Sequence, residues 1–184
     1  MNTYHIAIIV GSLRRDSLNK SVARSIAALS VAGLAFEIID LSSVPLFNQD
    51  LESAFPKEVT DLKEKIKAAD GLIIVTPEYN RSIPGVLKNA IDWTSRPYGD
   101  NAWAGKPVAV AGASGGALGT ALAQAHLKEV LMYLDTHVMG QPEIYIGGFK
   151  DKSDAEGNIT DQKTLEFLKQ FVEKFQVHML RFKK

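Results

Sequence analysis

Gly11-Ser12-Leu13-Arg14-Arg15-Asp16-Ser17-Leu18-Asn19 places two serines, an asparagine and an arginine between a short apolar run and a helical pattern. A helix that starts there offers unpaired backbone N–H groups and a partial positive charge, both suited to an anion. Ser12, Ser17 and Asn19 add short hydrogen-bonding groups, and Arg14 adds a charged fork. Together they suit a terminal phosphate monoester. The segment is neither the Gly-x-Gly-x-x-Gly turn of a dinucleotide fold nor a Gly-Lys-Ser/Thr triphosphate loop. An ordinary strand–helix turn with Ser17 or Asn19 as cap would use the same residues. Asp16 is the one residue whose charge opposes a phosphate.

Two later stretches have the same placement. Pro77-Glu78-Tyr79-Asn80-Arg81-Ser82-Ile83-Pro84-Gly85 follows the run Gly71 to Thr76. Two prolines stiffen it, and the second suits the first turn of a helix. Its rigid N–H groups and the flat Tyr79 suit the edge of a planar heteroaromatic ring; equally, Tyr79 could cover the core. Gly112-Ala113-Ser114-Gly115-Gly116 follows the run from Val108 and carries two readings. Gly-x-Ser-x-Gly between a strand and a helix is the pattern of a hydrolase nucleophile elbow, which would need Asp135 with His137 or His178. Alternatively, the small residues let backbone approach a flat ligand closely.

The remaining candidates are weaker. His5, His126, His137 and His178 are scattered, so no metal is expected. Asp151, Asp154, Glu156 and Asp161 read as a solvated loop without calcium-loop spacing. Trp93 and Trp103 read as packing residues or oligomer contacts.

The elements that must hold these loops follow from periodicity. Apolar runs at His5–Val10, Phe36–Leu41, Gly71–Thr76 and Val108–Ala113 predict strands, and Val138–Met139 with Glu143–Ile146 predict a broken fifth. Helical spacing predicts helices over 19–29, 56–69, 84–94, 117–134 and 164–181. Leu165, Leu168, Val172, Phe175 and Met179 form the apolar stripe of the last one. Such alternation predicts one α/β domain over 1–184, a doubly wound five-stranded parallel sheet of flavodoxin-like order 2-1-3-4-5. Ligands of such sheets sit at the carboxyl ends of the strands, where the three loops lie. Asp151 to Gln162 is the expected flexible segment.

Composition narrows the function classes. Among 184 residues, 21 Lys plus Arg balance 21 Asp plus Glu, so the basic excess of a nucleic-acid coat is absent. With no cysteine there is no disulfide scaffold, iron–sulfur cluster or thiol nucleophile. No signal peptide or membrane span is apparent, so a cytoplasmic protein without membrane or nucleic-acid partners is expected.

With its three loops in order, the chain resembles the NADPH-dependent FMN reductase family of flavodoxin-like proteins. The resemblance rests on GSLRRDSLN (Gly11 to Asn19), PEYNRSIPGVLKNAIDW (Pro77 to Trp93) and GASGG (Gly112 to Gly116), and spans Tyr4 to Ile146. It implies a non-covalent FMN, with NADPH or NADH as donor and free flavins, quinones, azo compounds or chromate as acceptors. It implies that Ser12, Arg14, Ser17 and Asn19 hold the FMN phosphate. Pro77, Glu78, Tyr79 and Asn80 would line the ring with Ser82 close by, and Ser114, Gly115 and Gly116 would complete the pocket. Arg14, Arg15 or Arg81 would meet the nicotinamide nucleotide. No side chain is expected to carry the hydride. A homodimer or homotetramer is implied. Asp16 and the Gly119-Thr120 pair depart from the family pattern. An electron-carrying flavodoxin is the main alternative, although such carriers are typically acidic.

Overall fold

The computed structural model describes residues 3–183. Its sheet is built from β1 (Tyr4–Val10), β2 (Leu34–Ile39), β3 (Gly71–Val75), β4 (Pro107–Ala113), β5 (His137–Val138) and β6 (Ile144–Ile146). The helices are α1 (Leu18–Ala27), α2 (Lys57–Ala68), α3 (Gly85–Thr94), α4 (Ala121–Tyr133) and α5 (Gln162–Leu180). The strand order is β2-β1-β3-β4-β5, with β6 also paired to β4, and all pairings are parallel. The expected flavodoxin-like order is therefore present. The broken fifth strand is also present: β5 pairs the start of β4 through Pro107 and Val108, and β6 pairs its end from Ala111 to Ala113.

Strict alternation assigns the side chains to two layers. Ile6, Ile8, Val10, Ile73, Val75, Ala109 and Ala111 face α1 and α5, meeting Val22, Ile26, Phe171, Val172 and Phe175. Ala7, Ile9, Leu72, Ile74, Val108 and Val110 face the other way, meeting Leu62 and Ile66 of α2, Leu87 and Ile91 of α3, and Leu127 and Leu131 of α4. Both faces of the central strands are covered, which is why β3 reads as an unbroken apolar run. Each large buried side chain contributes about 1.5–3 kcal/mol, so the sheet is a rigid platform for the loops at its carboxyl edge.

One expected boundary is corrected, and the two tryptophans resolve as packing residues. Helix α4 begins at Ala121 rather than Ala117, because Gly119 (φ 56°) and Thr120 (φ 71°) take left-handed conformations that interrupt helix geometry. The polar 151–162 segment is braced, with Asn158 donating from backbone and side chain to the Asp154 carboxylate and Ile159 buried beneath it. Trp93 and Trp103 are fully buried, so neither is an exposed oligomer contact of this chain. Their indole N–H groups donate to the Pro45 carbonyl and the Thr94 hydroxyl, both at 2.8 Å. Among the described residues, no helix is long and apolar enough to cross a membrane.

Candidate active site

The first loop closes onto α1 as its pattern predicts. Ser17 is the N-cap, its hydroxyl accepting from the Lys20 N–H at 3.4 Å. No acidic residue stands in the first helical turn, so the positive end of the helix is unopposed there. Ser12 and Ser17 are each 5% exposed, while Arg14, Arg15 and Asp16 are exposed. Asp16 thus lies in solvent, where water screens its charge from the cap.

Asn19 does something the pattern did not predict. It is buried, its Nδ2 donates to the Ala113 carbonyl at 3.0 Å, and its Oδ1 accepts from the Ala113 N–H at 2.9 Å. Both ends of the amide are therefore spent on the last residue of β4. Asn19 ties the first loop's helix to the third loop and leaves only its second N–H for any ligand.

The second loop is a tight hairpin. Tyr79 and Ser82 exchange backbone hydrogen bonds, each 3.0 Å long. Asn80 (φ 51°) and Arg81 (φ 66°) both lie in the left-handed region, the geometry of a type I′ turn. Asn tolerates that conformation; for Arg it is uncommon and costs about 1 kcal/mol or more. The turn holds Tyr79, Asn80 and Arg81 out in solvent.

The Glu78 carboxylate is held by partners within the protein. Its side chain is only 11% exposed. Oε2 accepts from the backbone N–H groups of Leu122 and Ala123, at 3.1 and 3.2 Å. Thr120, at the start of α4, makes no side-chain cap of its own, so Glu78 satisfies that helix end from across the site. Its Oε1 accepts from Arg81 at 3.2 Å. One carboxylate thus joins the hairpin, its exposed arginine and the helix after the third loop. His126, one turn further along α4, adds a second tie to the hairpin, with Nδ1 3.2 Å from the Ser82 hydroxyl. His126 is one of four scattered histidines, and no spacing rule finds a partner 44 residues away.

The third loop has two parts. Gly112 and Ala113 are buried and packed, whereas Gly115 and Gly116 are exposed with open space where a Cβ would stand. The Ser114 N–H donates to the Ile146 carbonyl and its hydroxyl to the Gly116 carbonyl. The Gly148 N–H also donates to the Gly116 carbonyl, so the 146–149 segment braces this loop. Beside it, the Tyr145 hydroxyl donates to Glu143 at 2.6 Å. Burial, then that hydrogen bond, push the phenol up to about 12, so it stays neutral at ordinary pH.

The hydrolase reading fails on geometry. Ser114 follows the carboxyl end of β4, whereas His137 pairs with Pro107 at the opposite end of that strand. At about 3.3 Å per residue the two lie far beyond hydrogen-bond reach. His178 is half-buried rather than exposed, and its Nε2 meets the His137 carbonyl. Among the described residues, no triad assembles around Ser114.

The three loops do come together. The Gly11 N–H donates to the Val75 carbonyl, and a Cβ at Gly11 would touch the Pro77 ring at 3.4 Å. Asn19 links loop one to loop three, and Glu78 links loop two to α4. The result is an open shelf with a helix N-terminus at one end and rigid backbone on two sides.

A family model for NADPH-dependent FMN reductases matches residues 4–151. The chain belongs to this family. Members couple a reduced nicotinamide nucleotide to FMN, and this chain is an oxidoreductase of that kind. A 2-hydroxy-1,4-benzoquinone reductase from Burkholderia sp is 51% identical over 170 residues, covering 92% of this chain and 93% of that protein. A quinone reductase from Pseudomonas putida is 46% identical over 173 residues, covering 94% and 92%. Among solved structures, FerB, a flavoenzyme NAD(P)H:(acceptor) oxidoreductase from Paracoccus denitrificans, is similar with a TM-score of 0.91 and 43% identity, covering 98% of this chain and 99% of that one.

Proposed function

We propose that this FMN reductase-family chain passes electrons from NADPH or NADH to a quinone-type acceptor on the shelf formed by the three loops. Free flavins, azo compounds and chromate fall within the same chemistry, because an open flavin face reduces many acceptors. When bound, FMN supplies the hydride relay between nicotinamide and acceptor.

The observation that supports this reading is the joining of a buried-serine helix N-terminus to two rigid loops by Asn19 and Glu78. The donor set fits FMN. Ser12, Ser17, Arg14 and the α1 N–H groups suit its phosphate, with Asn19 holding α1 in place. Pro77, Glu78, Tyr79 and Asn80 offer backbone along the ring, with Ser82 behind the turn. Backbone donors fixed in advance stabilise negative charge on a reduced ring without reorganising. Ser114, Gly115 and Gly116 form the other wall, and the open space at the two glycines lets a flat ligand approach the backbone. No side-chain acid or nucleophile is required. One open face serves donor and acceptor in turn, which gives ping-pong kinetics. We further assign Arg15 and Arg81 to the phosphates of the nicotinamide nucleotide, and a homodimer or homotetramer to the working enzyme.

Purified protein is expected to be yellow, to release FMN on denaturation and to bleach when NADPH is added without oxygen. Its sedimentation mass is expected to exceed that of one chain. A colourless protein that takes up no added FMN would sink the reading. A flavin that bleaches only with a partner reductase would favour the electron carrier. Arg81→Ala is expected to raise KM for NADPH about tenfold, the scale of one lost charge-assisted contact. An unchanged KM removes Arg81 from that role.

A further inference from the structure

We infer that the cavity between α1 and the carboxyl end of β2 receives the adenosine 2′-phosphate end of NADPH, with Lys20 and Arg24 reading the 2′-phosphate. This rests on the proposed reductase activity and names a subsite for its donor. The cavity measures about 230 Å³ and is lined by Val10, Ser12, Lys20, Arg24 and the run from Ile38 to Leu41. Enclosing a whole small ligand takes about 300–1,000 Å³, so this space suits one end of a longer molecule. Ser12 belongs to both the cavity and the first loop, so the cavity adjoins the shelf.

Its walls divide by chemistry. Val10, Ile38, Ile39 and Leu41 give an apolar floor, and Ile38 is left 41% exposed on it. Above them stand Lys20 and Arg24, four residues apart on one helix. Like charges at that spacing repel. Among the described residues neither forms an ion pair. Lys20 donates to the Leu13 carbonyl at a long 3.4 Å, and Arg24 to the Ser21 hydroxyl at 2.9 Å. Two cations over an apolar floor match a base that packs and a phosphate monoester that needs two charges.

Asp40 is the opposing charge. Hydrogen bonds from the Ser42 hydroxyl and N–H hold its carboxyl below the usual range, and both of its oxygens are taken up by them. Two cations against one carboxylate leave the cavity net positive. The larger neighbouring groove, about 470 Å³, shares Arg24 with this cavity and sets Arg14, Arg15 and Lys150 against Asp16, Asp154 and Glu156.

The test is calorimetric titration of the whole protein with adenosine 2′,5′-bisphosphate and with adenosine 5′-monophosphate. Wild type is expected to bind the bisphosphate at least tenfold more tightly. Lys20→Gln/Arg24→Gln should abolish that preference while keeping the fold, as judged by an unchanged melting curve. The control Lys169→Gln/Lys174→Gln on α5 removes the same charge elsewhere and should keep the preference. Equal binding of the two nucleotides by wild type overturns the assignment. So does a preference that survives in the Lys20/Arg24 variant, or one lost equally in the control. If FMN is released but the titration is flat, the subsite alone falls. If no FMN is found yet the Lys20/Arg24-dependent preference remains, the reductase reading falls and the nucleotide cavity stands.

Discussion

Asn19→Ala is expected to lower the melting midpoint of the flavin-free protein by roughly 5–15 °C. The side chain is 2% exposed and bonds both the N–H and the carbonyl of Ala113. Alanine leaves those two backbone groups buried without partners, at about 1–3 kcal/mol each. For a chain of this size each kcal/mol corresponds to about 2–4 °C. Asn19→Asp should be no milder, because its second oxygen would face the Ala113 carbonyl. FMN affinity should fall as well, since the tie also fixes the start of α1. If the flavin-free protein melts as wild type while only FMN binding weakens, Asn19 is a ligand contact and not a brace.

Gly112→Ala is expected to destabilise the fold as well, and to act on the opposite side of the same loop. A Cβ there would stand closer than 3.0 Å to the Thr120 hydroxyl oxygen and to the Thr76 backbone carbonyl. Thr120 could turn its hydroxyl aside, but the Thr76 carbonyl belongs to the sheet edge and cannot. Over-packing of this kind costs about 1–3 kcal/mol, and more where backbone must shift. Gly115→Ala and Gly116→Ala, with open space at the added methyl, should leave the fold intact and impair FMN binding alone. Chemical denaturation of the three variants, with and without FMN, separates these effects. Equal stability of Gly112→Ala and Gly115→Ala would show that the loop relaxes freely and that the packing argument is wrong.

Local pattern determined a large part of this protein. The strands expected at His5–Val10, Gly71–Thr76 and Val108–Ala113 were legible because central parallel strands are buried on both faces and so read as continuous apolar runs. The strand order and the placement of three polar loops at one edge follow from the alternation of elements and the handedness of crossovers. Residue type at a strand–helix junction was enough to single out Ser12, Ser17 and the Pro77–Ser82 turn.

What each loop residue does was decided only by the tertiary structure. Asn19 carries the hydrogen-bonding groups of a phosphate ligand, and its amide also bonds a backbone unit 94 residues away. The Glu78 carboxylate caps a helix 44 and 45 residues further on, a role no local pattern announces. Ser114 sits in a hydrolase pattern, yet β5 holds His137 beside the opposite end of β4, and His178 of α5 bonds to it there. The physical reason is the same in each case. A side chain's hydrogen-bonding capacity is written in its chemical type, but its partner is chosen by packing between elements distant along the chain, and periodicity records only which face of its own element a residue occupies.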